Sequence, residues 1–405
     1  MKVATMRRVD YFAGLPLCFL ATQLLRLVRL AALRGGAPAK NVLFVELSEM
    51  GSAVLADPAM RKMRAATGCE LHFLIFRSNA ASLRLLGTVP RDNVFTIRSG
   101  RFLHLAVDTL RFLAWARRRR IDTAIDLELF SRYSALLTGL CGARVRVGFH
   151  AFNDEGLYRG DMLTHRVAYN PHLHIAKNFV ALVNAALSEK PELPYSKTAI
   201  DDGEIRLARA EVGAGALADV RQRIRESFPA YDDARHRVVL VNPNASELLP
   251  QRRWMPERFV AVMRGLLAGD ERLLVLITGS PEEREEAAGL QRRVGDDRCI
   301  NFAGALALEE LPALYRTAVL MLTNDSGAAH FAAVTGLRTF VLYGPETPRL
   351  YGALGNSTPI YAGLACSPCV SAANHRKTAC RDNVCLQVIT PEAVLAQLQR
   401  ALAGK

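Results

Sequence analysis

"VLMLTNDSGAAHFAAVTGLRTFVLYGP", Val319 to Pro345, decides the fold. It opens on a short apolar run, the composition of a strand buried on both faces. A polar turn, Asn324-Asp325-Ser326-Gly327, interrupts the run. "GAAHFAAVTG" then reads as a helix, and "TFVLYGP" as a second strand. A strand, a helix and a strand in so short a span form a parallel crossover unit.

The same rhythm continues in both directions. Toward the C-terminus only the closing helix "TPEAVLAQLQRALAG" stands out, with Thr390 and Pro391 suited to its N-cap and first turn. Toward the N-terminus, "RVVLVNP" (237–243), "RLLVLITGS" (272–280) and "INFAG" alternate with helical stretches such as "PERFVAVMRGLLA". An earlier series holds "NVLFVEL" (41–47), "ELHFLIF" (70–76), "IDTAIDLEL" (121–129) and "ARVRVGF" (143–149). One helix is expected over "SAVLADPAMRKMRAA", with Pro58 near its start. The expectation is an α/β chain of two open, doubly wound domains in series, with a cleft between them. The boundaries read as an N-terminal apolar segment 1–40, a first domain 41–200, linker helices 201–235 and a second domain 236–405. No internal repeat is visible in the residues.

Composition narrows the function. Half of the 405 residues are hydrophobic and 22% are charged, as in a globular chain. The net charge of +13 suits a polyanionic partner: nucleic acid, an anionic membrane face or a phosphorylated substrate. There is no RNA-binding aromatic signature and no zinc-finger spacing, which disfavours nucleic acid. Tyr11 to Leu25 is an uncharged apolar run of about 15 residues, short of the ~20 that span a bilayer. Thr22, Arg26 and Arg29 then share one helical face, the pattern of an amphipathic helix at a membrane surface with a cationic edge. Packing on the protein's own core and a signal peptide are the alternatives. "RRRR" (117–120) ends a helix, where cations suit the dipole; a patch for acidic lipid is the functional reading.

Ligands of doubly wound sheets lie at the carboxyl ends of strands. Five polar turns fall there: Glu49–Ser52, Asn242–Ser246, Gly279–Glu283, Asp325–His330 and Gly344–Thr347. Asp325 suits sugar hydroxyls, and Ser326 with the helix amides suits phosphate. Helix capping is the plainer reading of Asp325 and Ser326, and a structural role that of His330. Asn244, Ser246, Arg252 and Arg253 suit a diphosphate, arginine by its bidentate fork. A solvated loop is the plainer reading there, above all for Arg253.

"ELSEMGSAVLADPAMRKMR", "NPNAS…RRWMPERFV", "ITGSPEERE" and "LTNDSGAAHFAAVTGLRTFVLYGPETP" resemble, in order, the successive blocks of glycosyltransferase family 9, the heptosyltransferases of lipopolysaccharide core assembly. The resemblance implies a GT-B fold, two Rossmann-like domains facing a central cleft, and inverting transfer from a nucleotide-sugar, ADP-linked by family default, to a glycolipid acceptor. It also implies no metal for catalysis; no Asp-x-Asp motif occurs in these turns. The N-terminal helix and the basic run 117–120 together would hold such a cytoplasmic enzyme on the inner-leaflet membrane surface. By the same resemblance Asp325, Ser326, Gly327 and His330 contact donor sugar and diphosphate. Ser246 and Arg252 hold phosphates, and Glu283, after Gly279, lies near the nucleoside.

One turn departs from the family. Members usually place Gly-Asp after the first strand, with that Asp as base; here Ser52 follows Gly51. A serine is no general base near neutral pH. Glu49 is the nearest carboxylate and the expected base, with Asp57 second. A non-catalytic sugar-nucleotide or glycan binder is the rival reading, and sugar-nucleotide epimerisation a further one.

The eight cysteines divide in two. Cys18, Cys69, Cys141 and Cys299 read as reduced core thiols. Cys366-x2-Cys369-x10-Cys380-x4-Cys385 suits a structural zinc, with disulfides or free thiols as alternatives and His375 as a spare ligand.

Overall fold

The computed structural model describes residues 3–404 except 32–38, 154–156, 190–191, 247–248, 372–373 and 375. His375 therefore lies outside the described residues. The chain forms two compact units: 1–206 with 372–375, and 207–371 with 376–405.

The first unit holds β1 (Asn41–Val45), β2 (Glu70–Phe76), β3 (Val94–Ile97), β4 (Thr123–Asp126), β5 (Val145–Phe149) and β6 (His165–Val167). Among the described residues they make a six-stranded parallel sheet in the order β3-β2-β1-β4-β5-β6. The helices are α1 (Val3–Phe12), α2 (Gly14–Ala31), α3 (Met50–Leu55), α4 (Asp57–Thr67), α5 (Phe102–Arg118), α6 (Arg132–Leu140) and α7 (Ile175–Leu187). Leu43, Val45, Leu74, Phe112 and Leu137 are fully or nearly fully buried in its core.

The second unit holds β7 (Arg237–Asn242), β8 (Leu273–Ile277), β9 (Cys299–Asn301), β10 (Ala318–Asn324), β11 (Thr339–Tyr343) and β12 (Ser357–Tyr361). They form a second parallel sheet, ordered β12-β11-β10-β7-β8-β9. Its helices are α8 (Ala214–Ser227), α9 (Pro256–Gly269), α10 (Arg284–Val294), α11 (Leu311–Thr317), α12 (Gly327–Ala333), α13 (Pro348–Tyr351), α14 (Val384–Gln387) and α15 (Pro391–Ala403). Val241, Trp254, Phe259, Ile277, Leu322 and Leu398 close its core. The stretch 201–235 contains one helix, α8, which belongs to this unit and is tied to it by Arg223, whose guanidinium pairs with Glu310 at 3.0 Å.

Three strands escape the sequence reading. β3 and β6 are short and only partly buried, so neither shows a long apolar run. β12 carries Pro359, which argues against a strand except at an edge, and β12 is an edge. The single helix expected around Pro58 is two, α3 and α4, with Pro58 in the first turn of the second.

α2 packs with its small and polar side in. Cys18 and Ala21 lie against Ala135 and Met162. Thr22, only 2% exposed, donates to the Cys18 carbonyl at 2.7 Å and accepts from Asp161 N–H at 2.9 Å. Arg26 pairs with Asp161 at 3.3 Å. Thr22 and Arg26 of the face expected as a cationic edge therefore meet the protein itself, the side chain of Arg29 lies outside those described, and Leu20 (60% exposed), Leu24 (55%) and Leu27 (67%) point out. On α5, Phe102, Leu103 and Leu110 are exposed too. At its end Arg117 and Arg119 donate to the carbonyls of Leu113, Leu140 and Asp92, as helix-end cations do. Among the described residues no helix is long and apolar enough to cross a membrane.

Candidate active site

In the second unit, β10 delivers Asn324 and Asp325 at its carboxyl end. Asn324 accepts from Trp254 N–H at 3.1 Å and donates to the Pro243 carbonyl at 2.6 Å. This buried amide fastens the loop after β7 beside Asp325. Asp325 N–H binds the Leu342 carbonyl at 3.0 Å, which sets the turn against β11.

The carboxyl of Asp325 is 3% exposed. Arg252 Nη1 stands 3.7 Å from its Oδ2 and 3.8 Å from Glu346 Oε2. Arg376 Nε donates to Glu346 Oε1 at 2.8 Å. Two buried acids thus meet two arginines. Burial, then the Glu346 charge, pushes Asp325 up to about 7 against the pull of Arg252 and Arg376. Burial also works on Glu346, but Arg376 and Arg252 outweigh it and hold that carboxyl below its usual range. The two shifts divide the pair: Asp325 is the acid that holds a proton toward neutrality, and Glu346 the one that stays charged.

Several buried polar atoms here have no hydrogen-bond partner among the described residues: Arg252 Nε, Asp325 Oδ2, Glu346 Oε2, and both amide atoms of Asn244. Buried groups left in this way are costly unless something binds them. Asn244 faces Gly279 and Glu283; a Cβ on Gly279 would meet Asn244 Nδ2 at 2.9 Å and Glu283 Oε2 at 2.8 Å. Only glycine leaves that space. Glu283 itself accepts from Ser280 N–H at 2.7 Å, closing a capping box.

The remaining expected residues divide. Ser326 starts α12 without a side-chain cap bond; its hydroxyl lies 3.4 Å from Thr323 Oγ1. Capping therefore does not account for Ser326. Gly327 packs under the Phe331 ring, and His330 is buried on α12. Ser246 is exposed. Arg253 donates twice to the Ala245 carbonyl, at 3.0 and 2.9 Å, and closes its own loop. It does not join Arg252.

Glu346 and Arg376 were not singled out from the sequence. Glu346 lies in a turn already noted, Gly344–Thr347. Arg376 sits between two cysteines, in a loop whose thiols drew the attention. In that loop Cys366 is exposed, Cys369 and Cys380 are half-buried and Cys385 is buried; all four are free thiols. Burial, then the neighbouring Cys369, Cys366 and Cys380, pushes the Cys385 thiol up. Among the described residues no three His, Cys, Asp or Glu side chains form a group able to hold a metal ion. The other four cysteines are buried free thiols.

In the first unit, Glu49 is exposed at the start of α3 and makes no side-chain cap bond. Ser52 Oγ donates to Glu49 Oε2 at 3.2 Å. Asp57 is buried and held by Arg61 Nε of the same helix at 2.9 Å and by the Thr88 hydroxyl from beyond it, a structural pairing. Two further carboxylates lie by Glu49. Glu128 Oε1 accepts from Leu47 N–H, Ser48 N–H and Ser48 Oγ at 3.0, 3.1 and 2.7 Å. Glu46 is pushed well up by burial, then by the charges of Glu128 and Glu49. Below them Asp126 pairs with Arg159 and is raised to about 6, chiefly by burial.

The profile of glycosyltransferase family 9 (heptosyltransferase) matches residues 111–379. Lipopolysaccharide heptosyltransferase 2 of Escherichia coli K12 is 28% identical over 106 residues, 25% of this chain and 30% of that protein. The match thus spans under a third of the curated relative's length. The solved E. coli ADP-heptose lipopolysaccharide heptosyltransferase II has a TM-score of 0.66 at 18% identity, covering 90% of this chain and 99% of that one. E. coli heptosyltransferase WaaC, solved with ADP-2-deoxy-2-fluoro heptose, gives 0.61 at 17% identity, covering 89% and 99%. At these identities the structures establish a shared fold.

Proposed function

Since the chain belongs to glycosyltransferase family 9, we propose that it moves a sugar, heptose by family default, from an ADP-sugar to a lipopolysaccharide core or related glycolipid. The carrying observation is the buried Asp325–Arg252–Glu346 group with its unpartnered polar atoms. Buried charge with spare hydrogen-bonding capacity at a strand end is what a diphosphate-sugar needs.

The donor's diphosphate takes Arg252, and Ser246, Ser326 and the α12 amides complete its shell. Gly327 lets the backbone come close, and His330 lies at the sugar. Asp325, holding its proton, donates to or accepts from a sugar hydroxyl. Asn244 and Glu283, around Gly279, face the nucleoside. Glu49 takes the proton of the acceptor hydroxyl, with Ser52 orienting its carboxylate. The hydroxyl attacks the anomeric carbon from the side opposite the diphosphate. The C–O bond to the diphosphate breaks, its charge passes to Arg252, and the anomeric configuration inverts. No metal enters this step. A structural zinc on Cys366, Cys369, Cys380 and Cys385 would brace their loop, and requires the thiols to draw closer than they stand.

The outward leucines of α2 and the exposed Phe102, Leu103 and Leu110 of α5 support a peripheral place on the inner, cytoplasmic membrane face, where a glycolipid acceptor resides.

The test is mass spectrometry of surface glycolipid from cells lacking the gene, complemented with wild type or Glu49→Gln. Wild type restores one missing sugar; the variant, at equal expression, falls short by roughly 10²–10⁴ in rate. Restoration by both removes Glu49 as base. An unchanged glycolipid in the deletion strain favours the non-catalytic, sugar-nucleotide-binding reading.

A further inference from the structure

The cysteine-bearing loop does more than carry thiols. It is fastened to both turns that make up the arginine–carboxylate group. Cys369 N–H and Val370 N–H donate to the Pro345 carbonyl at 3.0 and 3.1 Å, and Ser367 Oγ donates to the Gly344 carbonyl. At its other end the Cys380 carbonyl accepts from Gln251 Nε2 at 3.0 Å. Asn383 Nδ2 donates to the carbonyls of Gln251 and Arg253 at 3.2 Å each. One loop therefore ties the turn bearing Glu346 to the turn bearing Arg252.

Arg376 projects from this loop. Its guanidinium lies 5.2 Å from the centre of the Tyr351 ring, and its side chain is 16% exposed. It holds one oxygen of Glu346 at 2.8 Å, while Arg252 stands 3.8 Å from the other. The two arginines thus differ in grip. Arg376 makes a close charge-assisted hydrogen bond; Arg252 is shared loosely between two acids, and its Nε has no hydrogen-bond partner. The loosely held arginine is the one that can exchange a carboxylate for a phosphate.

We propose that Arg376 is a positioning residue: by occupying Glu346 it leaves the Arg252 fork available for the donor's diphosphate. This rests on the reading that the Asp325 turn binds that diphosphate. Without Arg376, Arg252 alone faces the Glu346 carboxylate and the Asp325 carboxyl. It closes onto Glu346, and the group loses the net positive charge that an incoming dianion needs. The cysteine loop, distant in sequence from both turns, thereby becomes part of the donor site.

The test uses the full chain as wild type, Arg376→Met, and Arg376→Met with Glu346→Gln. Binding of inorganic pyrophosphate and of ADP is measured by calorimetry, with a thermal melt of each protein. Arg376→Met is expected to weaken both ligands by about tenfold or more, the scale of one charged hydrogen bond. The double variant, lacking the stranded carboxylate, recovers most of that affinity. Loop anchoring alone predicts no recovery, because the loop stays unfastened. Unchanged binding by Arg376→Met, or a loss that Glu346→Gln does not repair, overturns the proposal and leaves the donor site standing. If wild type binds neither ligand, the donor-site reading fails and takes this inference with it. Should Arg376→Met not fold, Arg376→Gln replaces it with the same expected loss.

Discussion

α2 and the Asp325 turn break the usual sorting of side chains in opposite directions. α2 turns Cys18, Ala21 and Thr22 inward and sets Leu20, Leu24 and Leu27 in solvent. The Asp325 turn and its neighbour bearing Glu346 bury two acids at 3% and 1% exposure beside arginines. Either inversion costs stability in an isolated chain. An outward apolar face is offset by something apolar placed on it; an inward charged group, by something charged placed in it. On the function proposed above, the same physical argument separates a surface that would take a lipid-like phase from a pocket that would take an anion.

The strongest way to break this comparison is at the buried group. Arg252→Met should lower kcat/KM for sugar transfer by about 10²-fold while the fold persists, as when one preorganised charge stabiliser is removed. A loss below threefold, measured in a coupled nucleotide-release assay, would make the cluster structural. The outward face is probed by Leu20→Glu with Leu24→Glu. Partition onto anionic vesicles should fall by about tenfold, with a melting temperature close to wild type, since more than half of each side chain is open to solvent. A marked drop in melting temperature would mean that the leucines are structural after all.

The smallest effect sharpens the contrast through pH. The Asp325 carboxyl is raised to about 7 in the fold, above its unfolded value near 3.9. Its protonated form therefore favours the folded state. That contribution is complete below the unfolded value and is lost as pH rises through about 7. Asp325→Asn should remove this slope and melt on the order of 2–4 °C higher at pH 8. Parallel melting curves for the two proteins from pH 5 to pH 8 would show that Asp325 carries no such proton.

The strand–turn–helix–strand from Val319 to Pro345 was readable because each element is short, contiguous and uniform in pattern. Arg252 was readable through family resemblance, and the structure brings it to Asp325. What escaped was contact between distant residues. Arg376 and Glu346 are 30 positions apart, Glu46 and Glu128 about 80, and no local periodicity links either pair. α2 misled in its own way. Thr22, Arg26 and Arg29, at i, i+4 and i+7, mark one face, but pattern alone does not say which face turns in. Asp161, far along the chain, decides that by taking Arg26 and the Thr22 hydroxyl.

The two sheets also share a single connectivity. Each runs out from its first strand to the third on one side and to the fourth, fifth and sixth on the other, so β1 corresponds to β7 and β4 to β10. The winding reverses between those strands, and there both halves place their unusual polar residues. The first half puts Glu46 and Glu128 at that address; the second puts Asn244 and Asp325, with Arg252 beside them. The chain is thus a duplication of position without a duplication of residues. The same topological seam is furnished once with a pair of crowded carboxyl groups, and once with a guanidinium between two acids.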